Sequence, residues 1–447
     1  MNGKVSLFLV MGFSALFAIF GRNMLSNSTV SINNYSYYFN KTQASQIAKS
    51  GVFYAIAQLN NIDPNWTGGS LDFANGEANV SVQVVGGSNG VRIVTSEGNY
   101  GGGHYLGTET FVVTLRQRSL SEYGNFYNKF AIASGGSVWA ATGDVFDGKF
   151  HANDFVRCYG DPVFKGAVTT TRTIQRYDAN SHPVFEEGYR ENVAEITHEI
   201  DIAEITAGSV NGKVFYDTTG ANKFTDVYLK FYANGTVDYK LKIGSGAWTP
   251  IVNTLVTALT DNGLIHVKGG RVSVEGVLDG QVTVVATKSG VTSADAGKVI
   301  IPNSITYAGD VLSDYGKTQP PFVCNDMLGL VAEKEVIVPF NNARGDINIH
   351  ASIFAEDGGM KIESYGSYSG VNNMNIVGGV IGNYVEPTAN YAWNNILKKY
   401  VPVKGYSYVH KFDTRFESWA PPFFPKTRKF IPELWYTEEE IIPEMNL

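Results

Sequence analysis

The N-terminal part of the chain carries an uncharged apolar run, VSLFLVMGFSALFAIF, from Val5 to Phe20. Lys4 precedes this run and Arg22 follows it. A helix of this length spans roughly 24 Å at about 1.5 Å per residue. Continuation to Leu25 brings it near the hydrocarbon thickness of a bilayer, about 30 Å. The pattern therefore predicts one membrane-spanning anchor within residues 1–25.

A cleaved secretory signal is the alternative for this segment. Its apolar region would be about 7–15 residues long and would end at a small-x-small cleavage site. The residues after Phe20 read GRNMLSNS, which offers no clear site of this kind beside the apolar run. The sequence therefore favours a retained anchor, with Lys4 favouring a cytoplasmic N-terminus. The side chains expected to contact lipid are Val5, Phe8, Phe13, Phe17 and Phe20.

Helical periodicity continues beyond the apolar run. Apolar residues recur at helical spacing at Ala48, Val52, Ala55 and Leu59, and residues 23–59 contain no proline. This pattern predicts that the membrane helix runs on into an amphipathic helix packed on a soluble domain. An anchor, a flexible linker and a separate short helix remain the alternative, because SNSTVSINNYSYY is a poor helix former.

Period-two alternation then predicts a small antiparallel sheet. Ala78 to Val85 alternates, GGSNG makes a turn, and strand patterns return at Val91 to Val94 and at Thr108 to Leu115. Residues 26–117 are therefore assigned to a unit of helix and small antiparallel sheet.

Short strands punctuated by glycine dominate residues 118–425. The stretches 118–190, 264–310 and 334–384 alternate short apolar runs with Gly, Asn or Asp turns, which is typical of stacked β coils. The spacing is too irregular for a clean hexapeptide repeat. The pattern favours a distorted β-solenoid or parallel β-helix, with an antiparallel β-sandwich as the alternative.

Two further segments flank or interrupt this glycine-rich region. An insertion is predicted at about 191–260, with a hairpin at 224–243 that turns at Asn234-Gly235. The aromatic and proline-rich stretch 401–447 is expected to cap the β domain irregularly, with 426–447 as a C-terminal tail. The predicted fold class is therefore mainly β with a long N-terminal α-helix. It combines a helix and small antiparallel sheet with a β-solenoid-like domain.

Composition and charge narrow the function classes. The chain of 447 residues has 48 glycines and only 17% charged residues, against about 25% in typical domains, which favours turns and short strands over helix bundles. The net charge is −7, so the chain lacks the basic balance of nucleic-acid-binding proteins. No nucleic-acid partner is expected.

The familiar catalytic and metal-binding motifs are absent. The sequence contains no HExxH, no G-x-S-x-G and no GxxxxGK[ST]. We therefore expect a protein that is not an enzyme, with no catalytic residues, no cofactor and no metal.

A weaker signal lies in the segment HKFDTR, which holds His410, Asp413 and Arg415. These residues suit either an acid–base or sugar-handling cluster, or an ion-paired clamp that fixes the aromatic tail. The aromatic surroundings favour the clamp.

Acidic residues supply two more weak signals. One is a close set that suits Ca²⁺ or, more simply, a solvated strand edge: Glu199, Asp201 and Glu204. The other is a carboxylate pair, Asp310 and Asp326, which would be available for polysaccharide cleavage if the fold brought the two together.

The chain has two cysteines, Cys158 and Cys324. An even pair in an exported protein could form one disulfide. Two buried free thiols are the alternative, because sequence alone cannot place the two side chains within bonding distance.

An apolar N-terminal helix that extends into an amphipathic helix resembles the pilin and pseudopilin architecture of type IV pilus systems. The segment QIAKSGVFYAIAQL (Gln46 to Leu59) is similar to the helix that follows the anchor in minor pilins of the assembly type. The resemblance covers about the first quarter of the chain. It implies a processing site between Gly3 and Lys4. Phe8 stands where the family usually has a glutamate that pairs with a neighbour's N-terminal amine.

These patterns together predict a membrane-anchored, pilin-like structural or surface-display protein of the bacterial envelope, within a pilus or secretion-type assembly. The expected partners are membrane lipid, through the N-terminal helix, and pilin-like proteins or other envelope components. The expected location is the inner membrane, with a periplasmic or cell-surface ectodomain.

One alternative is a membrane-tethered β-helix carbohydrate-active enzyme, which a cleft holding two carboxylates would favour. Another is a surface-binding adhesin, which a flat exposed aromatic strip would favour.

Overall fold

The computed structural model describes residues 2–85, 90–102, 106–397 and 399–438. It divides into two compact units with separate hydrophobic cores. The first unit contains the described residues up to Arg118 and those from Arg428 onward, and the second is Ser119–Thr427. One long helix, one antiparallel sheet and several sheets of parallel strands make the fold mainly β, which confirms the predicted fold class.

The first unit is organised by one continuous helix, α1 (Asn2–Asn61). Its 60 residues correspond to roughly 90 Å at about 1.5 Å per residue. The segment SNSTVSINNYSYY lies inside this helix, so the alternative with a flexible linker does not hold. The helix ends before Pro64, as expected because proline disfavours helical backbone in the preceding residue.

The sheet of the first unit is an antiparallel meander. Its first four strands are β1 (Gly68–Phe73), β2 (Gly76–Val84), β3 (Val91–Tyr100) and β4 (Gly107–Ser119). Each pairs with the next along the chain, as the alternating pattern predicted. Residues 86–89 of the predicted GGSNG turn lie outside the described residues.

The C-terminal half of α1 packs on this sheet through small residues. Ala44, Ala48 and Val52 are fully buried, and the core continues at Ala55 and Leu59. The close approach requires glycine at position 98 on β3, because a Cβ there would overlap the Ala44 carbonyl oxygen and lie 2.5 Å from the Ala48 nitrogen. The predicted amphipathic face is therefore the face that the helix buries.

The second unit begins with ten short strands between residues 123 and 190. They are β5 (Tyr123–Lys129), β6 (Ala140–Ala141), β7 (Val145–Phe146), β8 (Lys149–Ala152), β9 (Val156–Tyr159), β10 (Val163–Phe164), β11 (Val168–Thr170), β12 (Ile174–Arg176), β13 (Val184–Phe185) and β14 (Tyr189–Arg190). They form three parallel ladders: β5–β8–β11–β14, β6–β9–β12 and β7–β10–β13. Successive turns of the chain therefore stack in register on three sides.

The remainder of the second unit extends the same stacking. Its elements are α2 (Ile202–Gly208), β15 (Lys213–Phe215), β16 (Thr225–Phe231), β17 (Thr236–Ile243), β18 (Val252–Leu255), α3 (Val256–Leu259), β19 (Leu264–Lys268), β20 (Gly270–Leu278), β21 (Gln281–Thr287), β22 (Lys298–Ile300), β23 (Ile305–Tyr307), β24 (Met327–Ala332), β25 (Val336–Val338), β26 (Ile347–Ala355), β27 (Met360–Ile362), β28 (Val371–Tyr384), β29 (Ala389–Asn394) and β30 (Lys399–Lys411). Parallel pairing runs β19–β21–β24–β26–β28 and then to β5, which joins the two sets of coils into one ladder.

The predicted insertion at about 191–260 differs from expectation in one respect. Its hairpin is present as β16 and β17, but β16 also pairs in parallel with β20, so the hairpin is part of the ladder rather than a separate lobe. The turn at Asn234-Gly235 is longer than two residues, because β16 ends at Phe231 and β17 begins at Thr236.

The C-terminal stretch is more regular than predicted. It begins with residues 401–411 of β30, and its last described strand is β31 (Lys426–Glu438), which is the edge strand beside β4 in the first unit's sheet. The prediction of an irregular tail from residue 426 is therefore wrong for the described part, and residues 439–447 lie outside it. The proline content of this segment suggested an irregular tail. Pro432 nevertheless lies within β31, because proline is tolerated in an edge strand.

Candidate functional site

The most prominent functional feature is the exposed N-terminal half of α1. Every side chain from Lys4 to Tyr35 is exposed in the structure, although most of those before Leu25 are apolar. Helix α1 is long and apolar enough to cross a membrane, judged by length and composition. The predicted anchor side chains all lie on this exposed part: Val5, Phe8, Phe13, Phe17 and Phe20. Such a surface is unfavourable in water and favourable in lipid.

The predicted processing site lies at the start of the same helix. Gly3 and Lys4 are in the first turn of α1, and Phe8 follows one turn later with 74% of its surface exposed. Among residues 4–20 there is no carboxylate, so the glutamate of the pilin pattern has no substitute nearby. Cleavage between Gly3 and Lys4 stays a prediction.

The HKFDTR segment separates into two structural roles. Asp413 and Arg415 form a buried bidentate ion pair, with Arg415 Nη2 2.6 Å and Nε 2.9 Å from the two carboxylate oxygens. His410 takes no part in this pair, because its Nε2 lies 2.9 Å from the Gly378 carbonyl oxygen and its Nδ1 is 3.3 Å from the Asn125 amide. An acid–base cluster of all three residues is therefore not formed.

The Arg415 guanidinium is fully enclosed by acceptors. Besides Asp413, it donates to the carbonyl oxygens of Cys324 and Asp326, and it stacks over the Tyr307 ring at 5.5 Å. Burial opposes the charge, but the Asp413 hydrogen bonds outweigh it and raise the pKa of Arg415. This geometry is the clamp that the aromatic surroundings favoured, and burial keeps both side chains away from a substrate.

The acidic set predicted for Ca²⁺ caps a helix instead. Asp201 is the N-cap of α2 and accepts a hydrogen bond from the Glu204 nitrogen at 2.9 Å. Glu204 forms an ion pair with Lys426, and Glu199 has an interaction of its own. No group of three potential metal ligands occurs among the described residues. This acidic set therefore lies at a helix N-terminus and not at the solvated strand edge that the sequence suggested.

The pair Asp310 and Asp326 also has structural partners. Asp310 caps the 3₁₀ turn Val311–Asp314 through the Leu312 nitrogen. Asp326 accepts hydrogen bonds from the nitrogens of Gly280 and Gly309, each at 2.8 Å. Both carboxylates therefore stabilise turns of the coil.

The predicted disulfide is not formed. Cys158 and Cys324 are buried free thiols in different hydrophobic clusters of the second unit. Burial raises the pKa of Cys158 to about 12 and that of Cys324 to about 11. Both thiols are therefore protonated and poorly reactive at neutral pH, which matches the alternative of two packed thiols.

Sequence reasoning missed a cleft of about 460 Å³ that is lined by three acidic residues: Asp357, which pairs with Lys288, and the two glutamates Glu335 and Glu386. Both glutamates flank the Gly358-Gly359 dipeptide. A Cβ added at Gly358 would lie 3.1 Å from Glu335 Cβ, and a Cβ added at Gly359 would lie 3.1 Å from Glu386 Cγ. Burial raises the pKa of Glu386. The two glutamates are 51 residues apart in the chain, so no local motif could have revealed the pair.

Glu335 in this cleft is already neutralised by two lysines. Its carboxylate oxygens lie 2.6 Å from Lys361 Nζ and 3.1 Å from Lys298 Nζ. Burial opposes ionisation of Glu335, but these hydrogen bonds outweigh it and lower its pKa. A nucleophile or general base needs an available lone pair, so this arrangement favours an ion-pair ladder between coils over a catalytic pair.

A chain of aromatic rings was also missed. Consecutive ring centroids lie between 4.9 and 6.4 Å apart along the set Trp139, Tyr177, Tyr159, Tyr400 and Trp393. Every consecutive pair is edge-to-face, with interplanar angles from 61 to 85°. We call this set the aromatic belt. It is exposed or half-buried, but it is not flat.

Comparison with known proteins gives limited context. The family model described as a domain of unknown function, DUF4900, matches residues 77–172. No curated protein matches the chain. Among solved structures, the chain is similar to the competence-associated pilin ComZ from Thermus thermophilus. That match has 11% identity and a TM-score of 0.34, and it covers 91% of this chain and 97% of the other.

Proposed function

We propose that the protein is a membrane-anchored, pilin-like structural or display protein of the bacterial envelope. The observation that carries this proposal is α1 itself. One uninterrupted helix combines an exposed apolar half with a half that is buried against its own sheet. Such a helix ties a folded head directly to a bilayer, with no flexible linker between them.

The role in an assembly follows from what the helix leaves exposed. Beyond Leu25, α1 continues for about five turns before its first fully buried residue, Ala44. That middle part presents Val30, Ile32, Tyr35 and Tyr38 to the surroundings. Exposed apolar residues on a rigid helix are suited to packing against other helices. Pilin-like proteins or other envelope components of a pilus or secretion-type system are therefore the proposed partners.

We further propose that the protein is not an enzyme. Support comes from the clusters that could have been catalytic: Arg415 is enclosed, Asp310 and Asp326 bind backbone, and Glu335 is paired with two lysines. The cleft with Glu335 and Glu386 is the feature that favours the carbohydrate-active alternative. In that alternative Glu386, with its raised pKa, would be the acid, but its partner Glu335 is already paired with two lysines.

Replacement of Phe13 by Arg tests the anchor. Phe13 lies in the middle of the apolar run and is 54% exposed, so the substitution leaves the folded head intact. An arginine at this depth costs about 2.5–3.5 kcal/mol of insertion free energy. We expect Phe13→Arg to shift from the membrane pellet to the soluble fraction after carbonate extraction.

The matched control for this experiment is Val30→Arg. Val30 is equally exposed, at 54%, and lies on the same helix beyond the apolar run. This control variant should remain in the membrane pellet. Retention of Phe13→Arg in the pellet at the wild-type level would refute the anchor.

A further inference from the structure

The β29–β30 hairpin extends beyond the sheet to which it belongs. Residues 405–411 of β30 pair with β28, whereas among the described strand pairings residues 399–404 pair with β29 alone. The outer half of the hairpin is therefore a two-stranded projection from the β28 ladder, and its Tyr400 ring contacts Tyr159 of an earlier coil.

The tip of this projection is apolar and preorganised. Ile396 is 90% exposed and Leu397 is 57% exposed, at positions where turns usually carry Gly, Pro, Asn, Asp or Ser. The Asn394 side-chain oxygen accepts hydrogen bonds from both of their backbone nitrogens, each at 2.9 Å. Because these two donors are already satisfied, the tip can leave water at a lower free-energy cost than an open turn could.

The aromatic belt begins directly behind the tip. Trp393 and Tyr400 are cross-strand partners with ring centroids 5.3 Å apart, and the Trp393 indole N–H donates to the Asn395 side chain at 3.0 Å. Trp393 is three residues from Ile396, so at most roughly 10 Å of chain separates the two. Trp and Tyr favour the bilayer interface, and apolar groups of interfacial elements reach about 5–10 Å into it.

The charge of the hairpin contrasts with that of the whole chain. Residues 389–404 carry three lysines and no acidic residue, in a protein of net charge −7. Lys404 is exposed and Lys399 is half-buried beside Gly143. Asp144 lies near Tyr391 of β29, and burial raises the pKa of Asp144. The exposed part of the hairpin is therefore positive and complementary to an anionic headgroup layer.

We propose that the β29–β30 hairpin is a bilayer-contact element that inserts Ile396 and Leu397 into an anionic membrane surface, with the aromatic belt at the interface. A carbohydrate chain is the other ligand class that Trp and Tyr suit. The edge-to-face angles of the belt give no common plane along which successive sugar rings would stack, whereas a lipid interface requires none. The contact is independent of α1, which supplies the anchor.

The experiment places an environment-sensitive fluorophore at the tip through Ile396→Cys in the full chain. The two native thiols are buried, so labelling is specific. The protein is held in a phosphatidylcholine nanodisc by α1 and mixed with protein-free vesicles. We expect a blue shift with vesicles that contain phosphatidylglycerol, little shift with pure phosphatidylcholine, and loss of the shift at high salt.

Two variants make the test specific. A label at Val210→Cys, on a residue of the same unit that is 81% exposed, should show no blue shift with any vesicle. Lys404→Gln in the labelled protein should weaken vesicle binding about fivefold, since a lysine near an anionic surface is worth about 1 kcal/mol.

The proposal is overturned if the tip label gives no shift with anionic vesicles, or if the Val210 label shifts equally. A response to cellohexaose in place of vesicles would also overturn it and assign the belt to carbohydrate. Failure of α1 to enter the nanodisc would count against the anchor alone, because the label can still be read on the free protein.

Discussion

Buried charges in the second unit are held by closed sets of partners. Arg415 is the clearest case, since its guanidinium has Asp413 on one side and two backbone carbonyl oxygens on the other. A charge without these partners would remain buried and uncompensated, which costs far more free energy than the pair contributes when intact. The stability of this region therefore depends on individual side chains.

Asp413→Ala tests this dependence. The change leaves the Arg415 charge buried without its counter-ion and removes the cap of the 3₁₀ turn Thr414–Glu417. We expect the free energy of unfolding of the second unit to fall by about 3–5 kcal/mol, measured by chemical denaturation. Asp279→Ala, at an exposed position of the same unit, is the control and should change it by less than about 0.5 kcal/mol.

The same pair of variants also bears on enzymatic function. If the protein cleaved a polysaccharide with Asp413, the alanine variant would lose turnover and keep its stability. Wild-type activity on a polysaccharide panel together with that outcome would contradict the structural role.

Residue-level contacts were only partly predictable from the sequence. The Asp413–Arg415 clamp was foreseeable because its two residues are two positions apart. The Lys298–Glu335–Lys361 ladder was not, because its members come from successive coils, and their contact depends on how those coils stack in register. His410 was grouped with the clamp by proximity in sequence, but it hydrogen-bonds to Gly378 and Asn125 instead.

At the scale of elements, the contact between α1 and its sheet depends on glycines at the points of closest approach, among them Gly98 and Gly107. A side chain at Gly98 would push against the backbone of the helix at Ala44 and Ala48, which cannot move aside as a flexible side chain could. The tight approach of helix and sheet therefore permits only glycine at this position.

Gly98→Ala should accordingly destabilise the first unit by about 1–3 kcal/mol, as overpacking typically does. Faster amide hydrogen exchange in residues 44–59 of α1 would report the loosened helix. Gly102→Ala provides the matched control, because a Cβ there has open space around it. Equal exchange rates in the two variants would show that the helix does not depend on this approach.

Elements with strong periodicity were predictable, and those defined by distant pairing were not. The apolar positions Ala48, Val52, Ala55 and Leu59 gave the helix face correctly. Strand β31 was missed because its pairing partner, β4, lies more than 300 residues earlier in the chain. Tertiary pairing decides the state of such a segment, whatever its local composition.

At the scale of the whole molecule, buried histidines make stability depend on pH. Burial lowers the pKa to about 4 at four positions of the second unit: His151, His198, His266 and His350. An unfolded chain protonates these groups near their ordinary pKa of 6.5, whereas the folded protein does so only near 4. Between these values the unfolded state binds more protons, so stability falls as the pH falls.

Glu356 opposes this trend, because burial raises its pKa to about 7 and the folded state then binds a proton that the unfolded state does not. Glu386 and Asp144, whose pKa values burial also raises, act in the same direction as Glu356, but the four histidines together with the buried His410 outnumber these three carboxyls. The melting temperature of the second unit, followed by calorimetry, should therefore fall from pH 6.5 to pH 4, and His266→Gln should reduce the slope. A constant melting temperature over this range would contradict the assignment of buried neutral histidines.

We infer that the apolar N-terminal segment stays on the mature protein and holds it in a membrane. Mass spectrometric mapping of the N-terminal peptide, on native protein extracted from the membrane fraction, tests this most directly. A retained anchor should give a peptide that contains Val5 to Phe20 and begins at Met1 or, after processing, at Lys4. A mature N-terminus beyond Phe20 would show a cleaved signal and contradict the anchor.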